Sequence, residues 1–333
     1  SLGLPTASTA VEFPSPVASD WWHAWGDPQL DRLVKQALQD NPSLKIAQTR
    51  LARALAVTDV ADAALLPQVN GAFDATRQLY TRNGAIPAPL AGTIRESGTL
   101  QLSASWELDF FGKYRSALDA ALGTAQAAEA DAQAARVLLS ANVVRSYTQL
   151  VRLQAQLGVA ERTLAQRQET LVLVQDRVKA GLDIRLELHQ SEGGLPEARQ
   201  QIEALKEQMA LTRNALGALV GAPQAAQDLQ VPPLAALRPT SLPTEIPANL
   251  LGQRADIAAA RWRVEAAGKD VVNAKTQFYP NVNLVAFAGF SSIGLGRLLE
   301  SGSQQWGVGP ALRLPIFEGG RLRAQLRTRT SDL

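Results

Sequence analysis

The sequence predicts a long α-helical coiled-coil barrel joined to a transmembrane antiparallel β-barrel, with four strands from each chain and an internal structural repeat. Three observations carry this. Gly112–Ala180 contains no proline, and only Gly123 and Gly158 interrupt its run of good helix formers. Two pairs of segments alternate apolar and polar residues with a period of two. The succession of helix, strand, loop, strand and Gly-basic corner then occurs twice along the chain.

Residues 1–20 are rich in Pro, Ser, Thr and Ala and belong to an extended leader over 1–26. Helix begins at about Asp27, with Leu30, Leu33, Val34, Ala37 and Leu38 on one face. Asn41-Pro42-Ser43 interrupts it, and Ser43 reads as the N-cap of a second helix that Pro67 ends, giving a helical segment 27–66. From Thr99 to Asp109 the even positions are Leu100, Leu102, Ala104, Trp106 and Leu108. The odd ones are Thr99, Gln101, Ser103, Ser105, Glu107 and Asp109. Val69, Gly71, Phe73 and Ala75 alternate likewise with Gln68, Asn70, Asp74 and Thr76, so 67–111 reads as a hairpin around the loop Asn83–Gly92.

Segment 112–222 reads as a long helical hairpin. Leu118, Ala121, Ala125, Ala128, Ala132, Ala135 and Leu139 recur at spacings of three and four, a coiled-coil seam whose alanines imply close helix approach. At about 1.5 Å per residue the first arm spans roughly 100 Å, too wide for a compact domain of this length. Gly181 supplies its stop, Asp183 an N-cap for the returning arm, and Gly193-Gly194 with Pro196 a kink within that arm. A Pro-rich linker occupies 223–248.

Setting Pro67 on Pro280 then aligns Ser43–Asn70 with Asp256–Asn283 without a gap, placing Ala47 on Ala260, Arg50 on Arg263 and Val69 on Val282. A second-repeat helix, 249–279, leads into a second hairpin, 280–318. There Val282, Leu284, Ala286, Ala288 and Phe290 alternate, followed by Trp306, Val308, Pro310, Leu312, Leu314 and Ile316. Phe317-Glu-Gly-Gly-Arg-Leu-Arg323 matches Phe110-Phe-Gly-Lys-Tyr-Arg115 at its Gly and basic positions, and 319–333 reads as the start of a truncated long helix.

Composition removes most enzyme classes. Cysteine is absent, which excludes disulfides, thiolate metal sites and a Cys nucleophile, and the two histidines, His23 and His189, have no metal-like spacing. Neither a catalytic constellation nor a cofactor or metal site is expected. The 33 basic and 31 acidic residues give a net charge of +2, without the concentrated basic charge of a nucleic-acid binder. No apolar run reaches the roughly 18 to 20 residues of a membrane-spanning helix. No signal peptide opens the sequence, so the chain reads either as cytoplasmic or as one whose signal has been removed.

Four strands of about ten residues match the tilted length needed to cross an outer membrane. Four cannot close a barrel, and open edges are not tolerated in lipid, so closure requires several chains. Alternating hairpins occur in any antiparallel sheet, and an Ala-rich seam is often plain coiled-coil core. A periplasmic coiled-coil scaffold or adaptor without a channel is therefore the alternative.

Several segments carry a family resemblance: Trp25-Gly-Asp-Pro-Gln-Leu-Asp-Arg-Leu-Val34, Trp106-Glu-Leu-Asp-Phe-Phe-Gly-Lys113, Ile246-Pro-Ala-Asn-Leu-Leu-Gly-Gln-Arg-Ala-Asp-Ile257, Phe278-Tyr-Pro280 and Pro315-Ile-Phe-Glu-Gly-Gly-Arg321. In this order they resemble the outer membrane factor (TolC-like) family, in its lipoprotein branch serving resistance-nodulation-division efflux systems. The resemblance implies a homotrimer with a twelve-stranded outer membrane barrel and a periplasmic helical tunnel. It implies a passive duct exporting drugs or other small solutes, partnered by a periplasmic adaptor and an inner membrane pump that supplies the energy. It also implies a lipid anchor just upstream of Ser1 and a second long helical hairpin beyond Leu333. On this reading Val178, Gly181 and Leu182 form the adaptor contact at the helical tip. Ser103, Ser105 and Glu107 face the barrel lumen, and Leu100, Leu102 and Trp106 face lipid.

Overall fold

A computed structural model describes residues 20–237 and 254–333. Residues 1–19 of the leader, 238–248 of the linker and the part of the Ile246–Ile257 segment up to residue 253 lie outside the described residues. The described residues form two compact units, one built from residues within 20–49, 130–237 and 254–257, the other from 50–129 and 258–333.

In the first unit a 3-10 helix, Trp21–Trp25, precedes helix α1, Pro28–Asp40. Asp27 caps α1, its carboxylate accepting from the Gln29 amide at 2.8 Å, with Pro28 in the first turn where its missing N–H costs nothing. Helix α2 is Pro42–Ala63. Its cap is Asn41, not Ser43: the Asn41 Oδ1 accepts from the amides of Ser43 at 2.9 Å and Leu44 at 3.3 Å. Pro42 takes the first helical position, which moves the cap one residue earlier than Ser43 would allow.

Helix α3, Lys113–Lys179, and helix α4, Arg185–Val220, form the long pair, and a short helix α5 follows at Pro223–Gln227. Trp22, Leu30, Val34 and Ala37 pack with Val143, Tyr147 and Val151 of α3 and with Leu216 and Val220 of α4. Farther along the pair Leu150, Leu153, Leu157, Ile202 and Met209 form a second cluster. Helix α4 runs unbroken through Gly193-Gly194 and Pro196, and Arg167 Nη1 donates to the Gly194 carbonyl at 2.5 Å. Asp183 caps nothing. Ile184 holds the N-cap position without a side-chain bond, because the Asp183 carboxylate is committed to Arg177.

The second unit contains one antiparallel sheet in the order β1-β2-β3-β4. Its strands are β1 Gln68–Leu79, β2 Ile94–Leu108, β3 Asn281–Ile293 and β4 Gln304–Arg313. Helix α6, Ala255–Thr276, leads into β3, and helix α7, Arg321–Asp332, follows β4. The first part of α3 packs on α6 through small residues: a Cβ on Gly123 would lie 3.1 Å from the Ala266 Cβ. Lys269 pairs with Asp119 at 2.9 Å, and Asn273 donates to the Lys113 carbonyl at 2.6 Å. Burial on this part of α3 follows Ser116, Ala120, Gly123, Ala125 and Ala127. Of the seven-residue seam only Ala125 and Leu139 are fully buried, the others half-buried. An alanine-rich helix offers small residues in several phases, and the partner helix decides which of them is covered.

Candidate functional site

The sheet's two faces differ in chemistry, and the register shows how. Leu102 stands opposite Gly71 on one side and Ala288 on the other, and Ala288 stands opposite Trp306. Leu100 likewise joins Phe73 to Phe290, and Trp106 pairs with Leu284, which pairs with Pro310. One apolar surface therefore runs across all four strands. It is bare: Leu102 is 62% exposed, Trp306 77% and Val308 67%. Leu100, Leu102 and Trp106 all lie on it. The Trp106 indole N–H finds its acceptor at the Leu65 carbonyl, 2.9 Å away.

Ser103 and Ser105 lie on the opposite face with Asn70 and Gln68, their register partners. Thr99 and Ser291 share a hydrogen bond at 3.4 Å across β2 and β3, and Gln305 donates to Gln101 at 3.1 Å. Glu107 is on this face too, but its carboxylate is engaged. Lys113 Nζ donates to it at 2.8 Å and the Tyr114 hydroxyl at 2.7 Å. The sequence reading missed both partners, which come from the first turn of α3 and approach Glu107 only because the chain reverses at Gly112. Gly112 takes φ +75°, where a Cβ would be strained. Burial pulls the Lys113 pKa down, but the bonds and charges of Glu107 and Tyr114 together outweigh it and leave the ammonium above its ordinary value. Asp109 caps α3, accepting from the amides of Tyr114 at 3.1 Å and Arg115 at 2.8 Å.

At this corner a cavity of about 550 Å³ is lined by Glu107, Lys113, Tyr279, Asn281, Arg313 and Glu318 among others. The Phe111 and Tyr279 rings stack at its edge with centroids 4.9 Å apart. Glu318 pairs with Arg321 at 2.7 Å.

The tip between α3 and α4 is a separate construction. Gly181 takes φ +75°. The Leu182 amide reaches back to the Arg177 carbonyl at 2.9 Å and the Gly181 amide to that of Val178 at 3.1 Å, a Schellman termination. Arg177 then grips Asp183 with two bonds of 2.6 and 3.1 Å. These bonds hold the Asp183 carboxyl below the usual carboxylate range and raise the guanidinium. The closed turn leaves Leu182, Ile184 and Leu186 exposed, with Val178 half-buried beneath them.

Elsewhere the polar chemistry is structural. Tyr147, fully buried, donates its hydroxyl to Asp27, and burial together with that bond pushes its pKa well above the ordinary phenol value. His23 pairs with Asp31 at 2.8 Å and His189 with Glu192 at 3.2 Å. Among the described residues no three His, Asp or Glu side chains are placed to hold a metal ion, and no helix is long and apolar enough to cross a membrane.

The described residues thus combine a four-stranded sheet, one face of which is exposed and largely apolar, with a helix of 67 residues. The family model for outer membrane efflux proteins matches residues 33–222 and 246–332, and the chain belongs to this family. It is 41% identical over 313 residues to the fusaric acid resistance protein FusA of Burkholderia cepacia, covering 93% of this chain and 59% of that protein. It is 33% identical over 318 residues to the multidrug resistance outer membrane protein MdtP of Escherichia coli O157:H7, covering 92% of this chain and 65% of the relative. The chain thus spans about three fifths to two thirds of the length of these relatives. Among solved structures the outer membrane protein VceC of Vibrio cholerae superposes with a TM-score of 0.88 at 35% identity, over 96% of this chain and 75% of that one. The outer-membrane channel OprN gives a TM-score of 0.86 at 30% identity, over 96% and 71%.

Proposed function

We propose that this chain is one stave of a passive outer membrane duct, exporting drugs or other small solutes without a catalytic step. The observation that carries the reading is the continuous apolar face across β1–β4, exposed and backed by a face of serine, asparagine and glutamine. Strands of 10 to 15 residues are long enough to cross the hydrocarbon layer at a tilt. In that setting the apolar face with Leu100, Leu102 and Trp106 meets lipid, and the face with Ser103, Ser105 and Glu107 meets a water-filled bore.

The edges explain why one copy is insufficient. β1 and β4 are the outer strands and each leaves a row of unpaired backbone groups, which lipid does not tolerate. Four antiparallel strands end with β4 running opposite to β1, so β4 of one copy can pair with β1 of the next and preserve the alternation. Three copies give the twelve-stranded closure, and the helix–hairpin unit present twice in each chain supplies it evenly. The helices then extend into the periplasm. Val178, Gly181 and Leu182, at a tip that Arg177 and Asp183 hold closed, meet a periplasmic adaptor linked to an energy-supplying inner membrane pump. A lipid anchor upstream of Ser1 belongs to the same reading.

Spin labels placed singly at Leu102 and Ser103, in protein reconstituted into lipid vesicles, test it. The label at Leu102 should be relaxed by dissolved oxygen and the one at Ser103 by a water-soluble nickel chelate. The same environment at both positions would refute the barrel.

A further inference from the structure

The polar face of the sheet is not polar throughout. On β1 and β2 it presents Asn70, Asp74, Gln101 and Ser103, but on the β3–β4 half the register sets Phe287 opposite Gly307 and Val285 opposite Gly309. The Phe287 ring lies on Gly307, where a Cβ would come within 2.6 Å of its Cε1. The missing side chain lets the ring rest against the wall. A Cβ on Gly309 would meet nothing within 4 Å, so the strip beside Val285 is open.

Farther along the same face of β4 the strip ends at Arg313, which reaches the corner cavity. The cavity's other cations have carboxylate partners: Lys113 has Glu107 at 2.8 Å and Arg321 has Glu318 at 2.7 Å. The third carboxylate there, Asp109, is occupied by the α3 amides. Arg313 makes no ion pair or side-chain hydrogen bond among the described residues and is exposed. At about 3.3 Å per residue, Gly309 and Arg313 stand roughly 13 Å apart, the length of a two-ring organic molecule.

We propose that this strip is a transit site for amphipathic organic anions, the apolar body lying on Val285 and Phe287 over Gly309 and the anionic group on Arg313. Apolar wall and uncompensated cation on one strand face select a molecule with both parts, because a charge-assisted bond to guanidinium adds to the burial of the ring. The inference rests on the polar face lining the duct.

The test is equilibrium dialysis of detergent-solubilised protein against 2-naphthalenesulfonate and, separately, 2-naphthylmethylammonium. The sulfonate should bind at least about tenfold more tightly than the ammonium. Arg313→Gln should weaken sulfonate binding about tenfold, Arg313→Lys should retain it within about threefold, and Phe287→Ser should weaken both probes alike. Equal binding of the two probes by the unaltered protein, or an unchanged sulfonate affinity in Arg313→Gln, overturns the site. Labels at Leu102 and Ser103 separate the two failures. If they differ as stated while the probes bind alike, only the anion site falls, whereas identical labels remove the duct and the site with it.

Discussion

Asn41 holds two helix ends together, and its replacement separates the two tasks. The side chain is buried, with its Oδ1 accepting from the first free amides of α2, those of Ser43 and Leu44. Its Nδ2 donates at 2.9 Å to the carbonyl of Leu219, in the last turn of α4 where carbonyls lack helical partners. Asn41→Ala removes the cap, at a cost of about 1 kcal/mol. It also leaves the Leu219 carbonyl without its donor, costing about 1 to 3 kcal/mol more. A local opening made easier by about 2 kcal/mol speeds amide exchange roughly 30-fold. Asn41→Asp keeps an acceptor for α2 but turns a carboxylate toward the Leu219 carbonyl, so its damage should be confined to α4. Hydrogen exchange read by mass spectrometry on peptides covering 42–46 and 216–222 distinguishes the variants. The alanine should accelerate both peptides. The aspartate should leave the first within about threefold of the unaltered protein and accelerate the second by about tenfold or more. Identical effects of the two substitutions on both peptides would show that Asn41 does not link the helices.

Gly123→Val should destabilise the second unit by about 1 to 3 kcal/mol. Its branches would have to enter space where a Cβ alone would already lie 3.1 Å from the Ala266 Cβ and 3.3 Å from its Cα. Adding Ala266→Gly should recover part of the loss in thermal unfolding, and no recovery would mean that this contact is not the cause. At the α3–α4 tip, Arg177 depresses the Asp183 carboxyl, so the pair's contribution is fully present above the ordinary aspartate value near 4. It is lost as pH falls through the lower folded-state value. Protection of the Gly181 and Leu182 amides, corrected for intrinsic exchange, should therefore hold from pH 7 to about 4 and drop below that. Arg177→Gln should abolish the drop, and a drop that survives the substitution would point to another group.

The sheet was legible in sequence because its signal has period two and needs no partner: Thr99–Asp109 alternates without exception. The first face of α1 was legible for the same reason, Leu30, Leu33, Val34 and Ala37 all being buried. What failed depended on neighbours. Ser43 and Asp183 both have the composition of a cap, but Pro42 moved one cap to Asn41 and Arg177 took the other side chain. Glu107 reads as a free polar residue until the turn at Gly112 brings Lys113 and Tyr114 to it. Phe287 and Val285 carry no signal of their own in the sequence, and their setting emerges only when the register places Gly307 and Gly309 across from them.

Those glycines differ in kind from Gly123, though all are small residues in regular elements. On α3 the missing side chain shortens the distance between two helix backbones, and the gain is packing within the wall. On β4 it withdraws material from a face that has no layer packed against it. In a closed barrel the radius is fixed by strand number and stagger, so the bore left for a solute depends on the side chains that project inward. Asn70, Asp74, Gln101 and Ser103 project from the β1–β2 half, whereas Gly307, Gly309 and Ala311 project little and Phe287 lies down on Gly307. On the proposed closure each copy would contribute one half furnished with polar side chains and one half with a sparser, more apolar lining. A tube made by rotation of such copies would alternate the sparser strips with polar ones, and a solute with an apolar side could then travel along a strip without stripping water from the serines and asparagines beside it.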